Sequence, residues 1–136
     1  MIVPDNTCND VYEFNLRQYP HLTRIVIGND CFGRVYNVSI RDLPELESIE
    51  IGENSFTSVK DGCPYSYTQV FYVYICGLPK LKSLKIGRYS FSNAYDVNLS
   101  DLPSLETIQF GDLNQESCNF HFGIHQGFVS RSPLRV

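Results

Sequence analysis

The sequence predicts a mostly β protein, a solenoid in which short parallel strands form two sheets around a thin core. Three observations support this fold class. A Leu-Pro block recurs at fixed spacing, a strand-like alternation recurs between the blocks, and no segment offers ten residues of helical pattern. The prolines and glycines of the block step by the same 24, 35 and 24 residues: Pro20, Pro44, Pro79, Pro103, then Gly28, Gly52, Gly87, Gly111.

The first repeating element is the Leu-Pro block, which occupies residues 19–28, 43–52, 78–87 and 102–111. Each block contains a four-residue strand pattern, such as Ser48-Ile49-Glu50-Ile51. A phenylalanine stands four residues after the glycine in three repeats, at positions 32, 56 and 91. The fourth repeat has Gln115 there, so the sequence predicts that this column is broken in the last unit.

The second repeating element alternates large apolar residues with others, which is the period of a strand with one buried face. It occupies residues 12–16, 36–40, 71–75 and 95–99, and Phe120 begins a fifth copy over residues 120–124. An aromatic residue opens the first four copies. The sequence therefore predicts one domain over 1–136, with an N-terminal cap (1–11), four repeats (12–111), an insertion (57–70) and a partial fifth repeat or C-terminal cap (112–136).

Stacking is predicted because one such unit cannot bury its apolar side alone. When units stack, isoleucine lies on isoleucine and phenylalanine on phenylalanine. A β-sandwich or an up-and-down barrel has strands at similar spacing but does not require the same residue in the same column. The repeated columns therefore favour the solenoid over these two alternatives.

The segment from Leu46 to Phe56 resembles the leucine-rich-repeat motif L-x-x-L-x-L-x-x-N-x-L, and the 24-residue period fits that superfamily. The aromatic ending and the second strand are similar to the BspA-like type of bacterial and protist surface proteins. The resemblance implies a right-handed leucine-rich-repeat solenoid with two short parallel strands per 24-residue repeat, α/β by class convention but mostly β. It also implies a binding role, generally without catalysis.

One departure from the family concerns its buried asparagine column. The corresponding positions hold Asp30, Asn54, Tyr89 and Leu113. Buried backbone donors and acceptors are costly when they are left without partners. We therefore expect other side chains to satisfy the backbone groups that an asparagine ladder would serve.

Composition excludes several classes of protein. The net charge is −4 and the eleven basic residues are scattered, which disfavours a nucleic-acid partner. No apolar run is long enough for membrane insertion. Five widely spaced cysteines without a C-x-x-C pair argue against a disulfide framework and a zinc knuckle. With an N-terminus unlike a signal peptide, unpaired cysteines slightly favour the cytoplasm, and a surface location is expected if the chain is a fragment.

The first candidate contact surface is the outward face of the first sheet. In leucine-rich repeats this is the concave face, which commonly contacts proteins. Its outward positions include Glu50 and Lys85, with Lys82 beside them. The alternative interpretation is a solvated face, on which neighbouring glutamate and lysine side chains only support strand pairing.

The second candidate is the tyrosine-rich region at the insertion. Tyr65 and Tyr67 lie within it, and Tyr72 and Tyr74 follow on the outward side of the next strand, where other repeats carry polar residues. Tyrosine is favoured at binding hot spots because it buries a large area at small entropic cost. In the alternative interpretation, the insertion folds back and covers Tyr72 and Tyr74. Of the two surfaces, the tyrosine-rich region is the preferred site.

No chemistry emerges from the remaining motifs. Cys118, His121 and His125 have a faintly metal-like spacing, but a strand would place the histidines roughly 13 Å apart, too far for one zinc ion. The chain lacks G-x-S-x-G, phosphate-loop and H-E-x-x-H patterns, so we expect no enzyme, metal or cofactor. The sequons Asn37-Val38-Ser39 and Asn98-Leu99-Ser100 are matches expected by chance, relevant only in a secreted protein.

These observations predict a non-catalytic protein-interaction module whose partner is a protein of unknown identity. A second hypothesis is a structural segment of a longer repeat array or surface protein, with end-to-end self-association through strand edges. A third is a carbohydrate-binding surface, because exposed tyrosines also stack on sugars.

Overall fold

The structure, a computed structural model, describes residues 1–62, 71–112, 114–115 and 117–120. This part of the chain forms nine strands and no helix. It accordingly contains no helix long and apolar enough to cross a membrane. The strands are β1 (Ile2–Val3), β2 (Glu13–Asn15), β3 (Arg24–Ile27), β4 (Asn37–Arg41), β5 (Ser48–Ile51), β6 (Tyr72–Cys76), β7 (Ser83–Ile86), β8 (Asp96–Ser100) and β9 (Thr107–Phe110).

The strands form two parallel sheets, and the chain passes from one sheet to the other after each strand. The first sheet has the order β1-β3-β5-β7-β9 and the second has the order β2-β4-β6-β8. The pairings from β2 to β9 follow the repeat predicted from the sequence: Ile25 pairs with Ile49, and Ile49 with Leu84. Strand β1, within the predicted N-terminal cap, adds a further strand to the first sheet by pairing with β3. The mostly β class and the two parallel sheets are therefore confirmed for the described residues.

The core lies between the inward faces of the two sheets. Side chains alternate in and out along each strand, as in β5, where Ile49 and Ile51 are buried beside partly exposed Ser48 and Glu50. Complete burial of one such isoleucine contributes about 1.5–3 kcal/mol. Because each strand from β3 to β8 carries a buried apolar pair, successive repeats add to one continuous core.

A column of phenylalanines runs through the core where the turns after the first sheet meet the second sheet. Phe32, Phe56, Phe91 and Phe120 stack in that order, with ring centres 4.8, 4.8 and 5.4 Å apart and planes within 9° of parallel. All four have positive φ, between 52° and 58°. Such backbone is costly for a bulky residue, so the stacking must outweigh the strain.

Phe120 is the fourth member of this column, which corrects the sequence-based assignment of Phe120 to a fifth copy of the second strand. Its ring stacks on Phe91 and its N–H donates to the Phe91 carbonyl at 3.2 Å. The expectation that the column is broken at Gln115 is therefore also wrong. The fourth turn is longer, so that Phe120 follows Gly111 by nine residues instead of four.

A ladder of small polar side chains takes the place of the asparagine ladder of the resembled family. Ser55 Oγ accepts from the N–H of Cys31 at 3.1 Å and donates to the carbonyl of Gly28 at 2.7 Å. Ser90 does the same one repeat later, accepting from Ser55 N–H at 3.0 Å and donating to the Gly52 carbonyl at 2.6 Å. Serine hydroxyls thus pair the backbone groups of successive turns. The expectation that other side chains satisfy these groups is confirmed, and the structure identifies the serines.

The ladder continues into the last described turn, where Asn119 stands in place of serine. Asn119 Nδ2 donates to the carbonyls of Gly87 and Ser90 at 2.7 and 3.0 Å. The column first compared with the family's asparagines has another role. Asp30, Asn54 and Tyr89 have φ of 57°, 54° and 62°, so it marks a left-handed turn that asparagine and aspartate tolerate well.

The cysteines are not all unpaired, which corrects the expectation from their odd number. Cys118 is disulfide-bonded. Cys8, Cys31 and Cys76 are free, and Cys31 is completely buried beside the serine ladder. The preference for a reducing compartment rested on unpaired cysteines, and the Cys118 disulfide removes that support.

Candidate binding surfaces

The outward face of the first sheet is a network of paired charges. Glu50 on β5 lies 3.9 Å from the Arg24 guanidinium on β3 and 3.7 Å from Lys85 Nζ on β7. Lys82 pairs with Glu47 at 3.9 Å in the same way. All of these side chains are about half exposed, so each pair contributes little energy. The charges neutralise one another between adjacent repeats, as the solvated-face interpretation describes.

A groove runs along the carboxyl ends of the first-sheet strands. Its volume is about 450 Å³, and its lining includes the four block glycines. Glu53 and Asp112 contribute acidic groups, and Lys85 and Arg88 contribute basic groups. The groove therefore combines bare backbone with charges of both signs, which gives no preference for a ligand of either charge.

The outward face of the second sheet differs because it carries aromatic side chains. Tyr72 and Tyr74 of β6 both point outward as predicted, with Tyr72 39% exposed and Tyr74 half-buried. Their rings lie 6.5 Å apart and within 13° of parallel. The other two tyrosines of the preferred site, Tyr65 and Tyr67, lie outside the described residues.

Two further exposed tyrosines lie at the starts of β2 and β4, at positions where strand alternation predicts inward side chains. Tyr12 and Tyr36 precede β2 and β4, with exposed fractions of 53% and 36% and ring centres 6.5 Å apart. In the sequence they occupy the same repeat position as Phe71, the position of the aromatic residue that opens each copy of the second strand pattern. Only Phe71 is buried, at 1% exposure. The residue type could have indicated their exposure. Tyrosine stands where the third copy has Phe71, and a phenol hydroxyl normally stays near water or a hydrogen-bond partner.

We call Tyr12, Tyr36, Tyr72 and Tyr74 the tyrosine belt. It crosses three neighbouring strands of the second sheet, because the backbone N–H of Tyr36 donates to the Tyr12 carbonyl and that of Tyr72 to the Tyr36 carbonyl. The belt is an amphipathic surface made of rings whose hydroxyls reach solvent. Such a surface suits the centre of a binding interface.

Arg41 adds a cation to one end of the belt. Its guanidinium carbon lies 5.8 Å from the centre of the Tyr74 ring, within the range of a cation–π interaction. Its Nε is buried without a hydrogen-bond partner, as is the Oγ of Ser39, which pairs with Tyr74 across the sheet. Buried polar atoms without partners are costly, so this end of the belt holds hydrogen-bonding capacity that the chain itself does not use.

Two titratable groups in the described part of the chain have shifted pKa values, the Cys76 thiol and the Lys80 ammonium group. Burial raises the pKa of the Cys76 thiol, an effect that Arg41 opposes and that Asp42 and Asp101 reinforce. A raised pKa keeps a thiol neutral and makes it a poor nucleophile. The hydrogen bond from Lys80 to Glu45 raises the pKa of that ammonium group. The described residues contain no group of three metal-ligating side chains, and His121 and His125 lie outside them.

Comparison of the chain with protein-family models, with curated proteins and with solved structures finds no match in any of the three. The leucine-rich-repeat resemblance therefore rests on the repeated motif within this sequence.

Proposed function

We propose that this chain is a non-catalytic protein-interaction module built as a right-handed leucine-rich-repeat solenoid. Two in-register parallel sheets support the solenoid, since the same positions of successive repeats pair throughout. The stacked phenylalanine column and the serine ladder support it as well. In this architecture the inward columns account for stability, so a function must come from the outward ones.

The tyrosine belt is the contact surface, and its exposure is the observation that carries the proposal. Tyrosine and arginine dominate protein-binding hot spots, and the belt brings four exposed or half-buried tyrosines onto three neighbouring strands, with Arg41 beside Tyr74. The Glu50 and Lys85 surface is the weaker candidate, because its charges already pair with each other. A partner that bound this surface would have to separate these ion pairs, each of which contributes little net free energy.

The experiment is an affinity capture from a lysate of the source organism, using the whole chain as bait. The test variant carries Tyr72→Ser and Tyr74→Ser, which remove two outward rings without touching the core. The control variant carries Glu50→Gln and Lys85→Gln, two substitutions on the other sheet. We expect a partner that the wild type and the control retain and that the tyrosine variant loses.

Circular dichroism and thermal unfolding must show that both variants are folded. A partner retained by the tyrosine variant and lost by the glutamine variant would move the site to the first sheet. If the tyrosine variant loses most of its thermal stability, Tyr72 and Tyr74 have a structural role, and the belt is not primarily a binding surface.

A second candidate function is a structural segment of a longer array, which the N-terminal end favours. Among the described strands, β1 and β2 each pair on one side only, and Ile2 is 80% exposed. Open strand edges invite pairing with another chain. An array segment predicts a mass that rises with concentration in sedimentation experiments, whereas a binding module alone predicts a constant mass of 15.6 kDa.

A carbohydrate-binding surface is a third candidate, favoured by the neighbours of the two β6 tyrosines. Tyr72 lies between Asn37 and Asp96, and Tyr74 lies between Ser39 and Asn98. Aromatic rings flanked by amide and carboxylate groups can stack on a sugar and bond its hydroxyls. Binding to a glycan array that Tyr72→Ser abolishes would favour this function over a protein partner.

A further inference from the structure

The two N-glycosylation sequons occupy the outward face of the second sheet, one on each side of the β6 tyrosines. Asn37 on β4 pairs across the sheet with Tyr72, and Asn98 on β8 pairs with Tyr74. In each sequon the middle residue, Val38 or Leu99, is buried in the core. The asparagine and the serine of each sequon consequently share the outward face of their strand.

The structure distinguishes the two sequons by the accessibility of the groups that a transferring enzyme must contact. Asn98 is exposed and Ser100 partly exposed, and the Ser100 hydroxyl donates to Asn98 Oδ1 at 2.6 Å. In the other sequon Asn37 is only partly exposed. Ser39 is 5% exposed, with an inaccessible Oγ that has no hydrogen-bond partner. Only the Asn98 sequon presents both its amide and its hydroxyl at the surface.

We propose that Asn98 is an N-glycosylation site and that Asn37 is not used. The co-reactant is an oligosaccharide carried on a lipid diphosphate. A bond forms between Asn98 Nδ2 and the anomeric carbon of the first sugar, the bond from that carbon to the diphosphate oxygen breaks, and the amide loses one proton. The lipid diphosphate leaves, and no atom is oxidised or reduced. The Cys118 disulfide is consistent with folding in an oxidising compartment, where sequons are modified.

The attached sugar has a surface to pack on. Strands in a sheet lie about 4.8 Å apart, so a sugar on Asn98 lies beside the ring of Tyr74, its pairing partner on β6. The glycan therefore covers the β8 side of the tyrosine belt and leaves Tyr12 and Tyr36 free.

The test is secretion of the full chain from cultured eukaryotic cells, followed by intact-mass and peptide mass spectrometry before and after peptide-N-glycosidase treatment. We expect one glycan per chain, with deamidation of Asn98 after enzymatic release. Asn98→Gln and Ser100→Ala should each abolish the modification. Asn37→Gln, the matched control in the other sequon on β4, should leave the glycan and its occupancy unchanged.

Detection of secreted, folded protein in which Asn98 carries no glycan would overturn the proposal. Modification of Asn37 at comparable occupancy would also overturn it, because accessibility would then not select between the sequons. If Asn98→Gln prevents secretion, Ser100→Ala answers the same question while keeping the asparagine. The lysate capture with Tyr72 and Tyr74 variants has a separate readout, so the two proposals can fail independently.

Discussion

At the scale of single residues, a serine hydroxyl is the smallest group that can join two neighbouring turns. Replacing Ser55 by alanine leaves the buried Cys31 N–H without an acceptor and the Gly28 carbonyl without this donor. A buried group left without its partner costs about 1–3 kcal/mol. We expect Ser55→Ala to lower the free energy of unfolding by that amount in urea denaturation.

The control for this prediction is Ser58→Ala in the same connection. Ser58 is exposed, and its Oγ accepts only from Asn93 Nδ2 at 3.2 Å. Its removal should change stability by less than about 0.5 kcal/mol, as is usual for surface positions. Equal losses from both variants would show that the serine ladder has no special role.

The block glycines are required because successive turns touch through their backbones. A Cβ on Gly52 would lie 2.7 Å from the carbonyl carbon of Gly28 and 2.8 Å from the backbone nitrogen of Asn29. Neither backbone atom can move without disturbing its own repeat. Gly52→Ala should therefore lower the free energy of unfolding by about 1–3 kcal/mol, the usual cost of overpacking.

Gly62→Ala is the matched comparison for the glycine prediction. Among the described residues, a Cβ there would meet only the Lys60 carbonyl oxygen, at an ordinary contact distance of 3.7 Å. Thermal unfolding of the two alanine variants should separate them clearly, with only Gly52→Ala lowering the midpoint. A Gly52→Ala protein as stable as the wild type would mean that the turns are less tightly stacked than described.

At the scale of elements, the phenylalanine column connects the repeats through the core. Phe56 is fully buried and stacks on Phe32 and Phe91 at 4.8 Å on either side. Removing a buried phenylalanine ring costs about 3–5 kcal/mol. We expect Phe56→Ala to lower the free energy of unfolding by that amount, or to prevent folding.

Alanine has to adopt the same positive φ at position 56 as phenylalanine does. The loss of unfolding free energy in Phe56→Ala therefore measures removal of the ring and not a change in backbone strain. Tyr19→Ala, at an exposed turn position, should change stability by less than about 0.5 kcal/mol. A loss below 1 kcal/mol for Phe56→Ala would contradict the column, on the scale of about 3–5 kcal/mol given above.

The strands could be predicted from the sequence because their signal is local and repeated. Alternation of apolar residues predicts β5 and β6, and the repeat predicts their neighbours in register. The sequence shows that Ser55 and Ser90 recur in a Gly-x-x-Ser-Phe turn, but it does not show which backbone groups their hydroxyls bond, because that depends on how the turns stack. Phe120 was misassigned because the last turn is longer, and spacing alone cannot tell a core phenylalanine from one that begins a strand.

The candidate site was predicted in part. Alternation along β6 correctly predicts that Tyr72 and Tyr74 face outward. Strand periodicity places Tyr12 and Tyr36 in the inward column of Phe71, and their exposure depends on how the chain enters β2 and β4. The role of Arg41 depends on a contact across two strands. Cysteine counting cannot tell which cysteines form bonds, so the Cys118 disulfide could not be predicted.

At the scale of the whole molecule, each described strand pairs only with its neighbours in the same sheet, so stability is shared from one repeat to the next. The first described unit has a neighbour on one side only. Its first-sheet strand, β1, has two residues, and Ile2 is 80% exposed. The end of such an array is expected to open locally while its centre stays folded.

The block glycines give four equivalent probes of this gradient, because each donates its N–H to the preceding repeat. Gly28 bonds to the Val3 carbonyl of β1 at 2.9 Å, whereas Gly87 bonds to the Ile51 carbonyl of the central β5 at 2.7 Å. Opening of β1 releases the first bond and leaves the second intact. Hydrogen exchange, followed by nuclear magnetic resonance on ¹⁵N-glycine protein, should therefore show Gly28 exchanging more than about tenfold faster than Gly87.

Gly52, bonded to the Ile27 carbonyl of β3, should exchange at an intermediate rate, since β3 is one strand removed from the end. Equal protection of all three glycines would instead show that the chain opens as a single cooperative unit, and that contacts beyond nearest neighbours hold the end repeat in place.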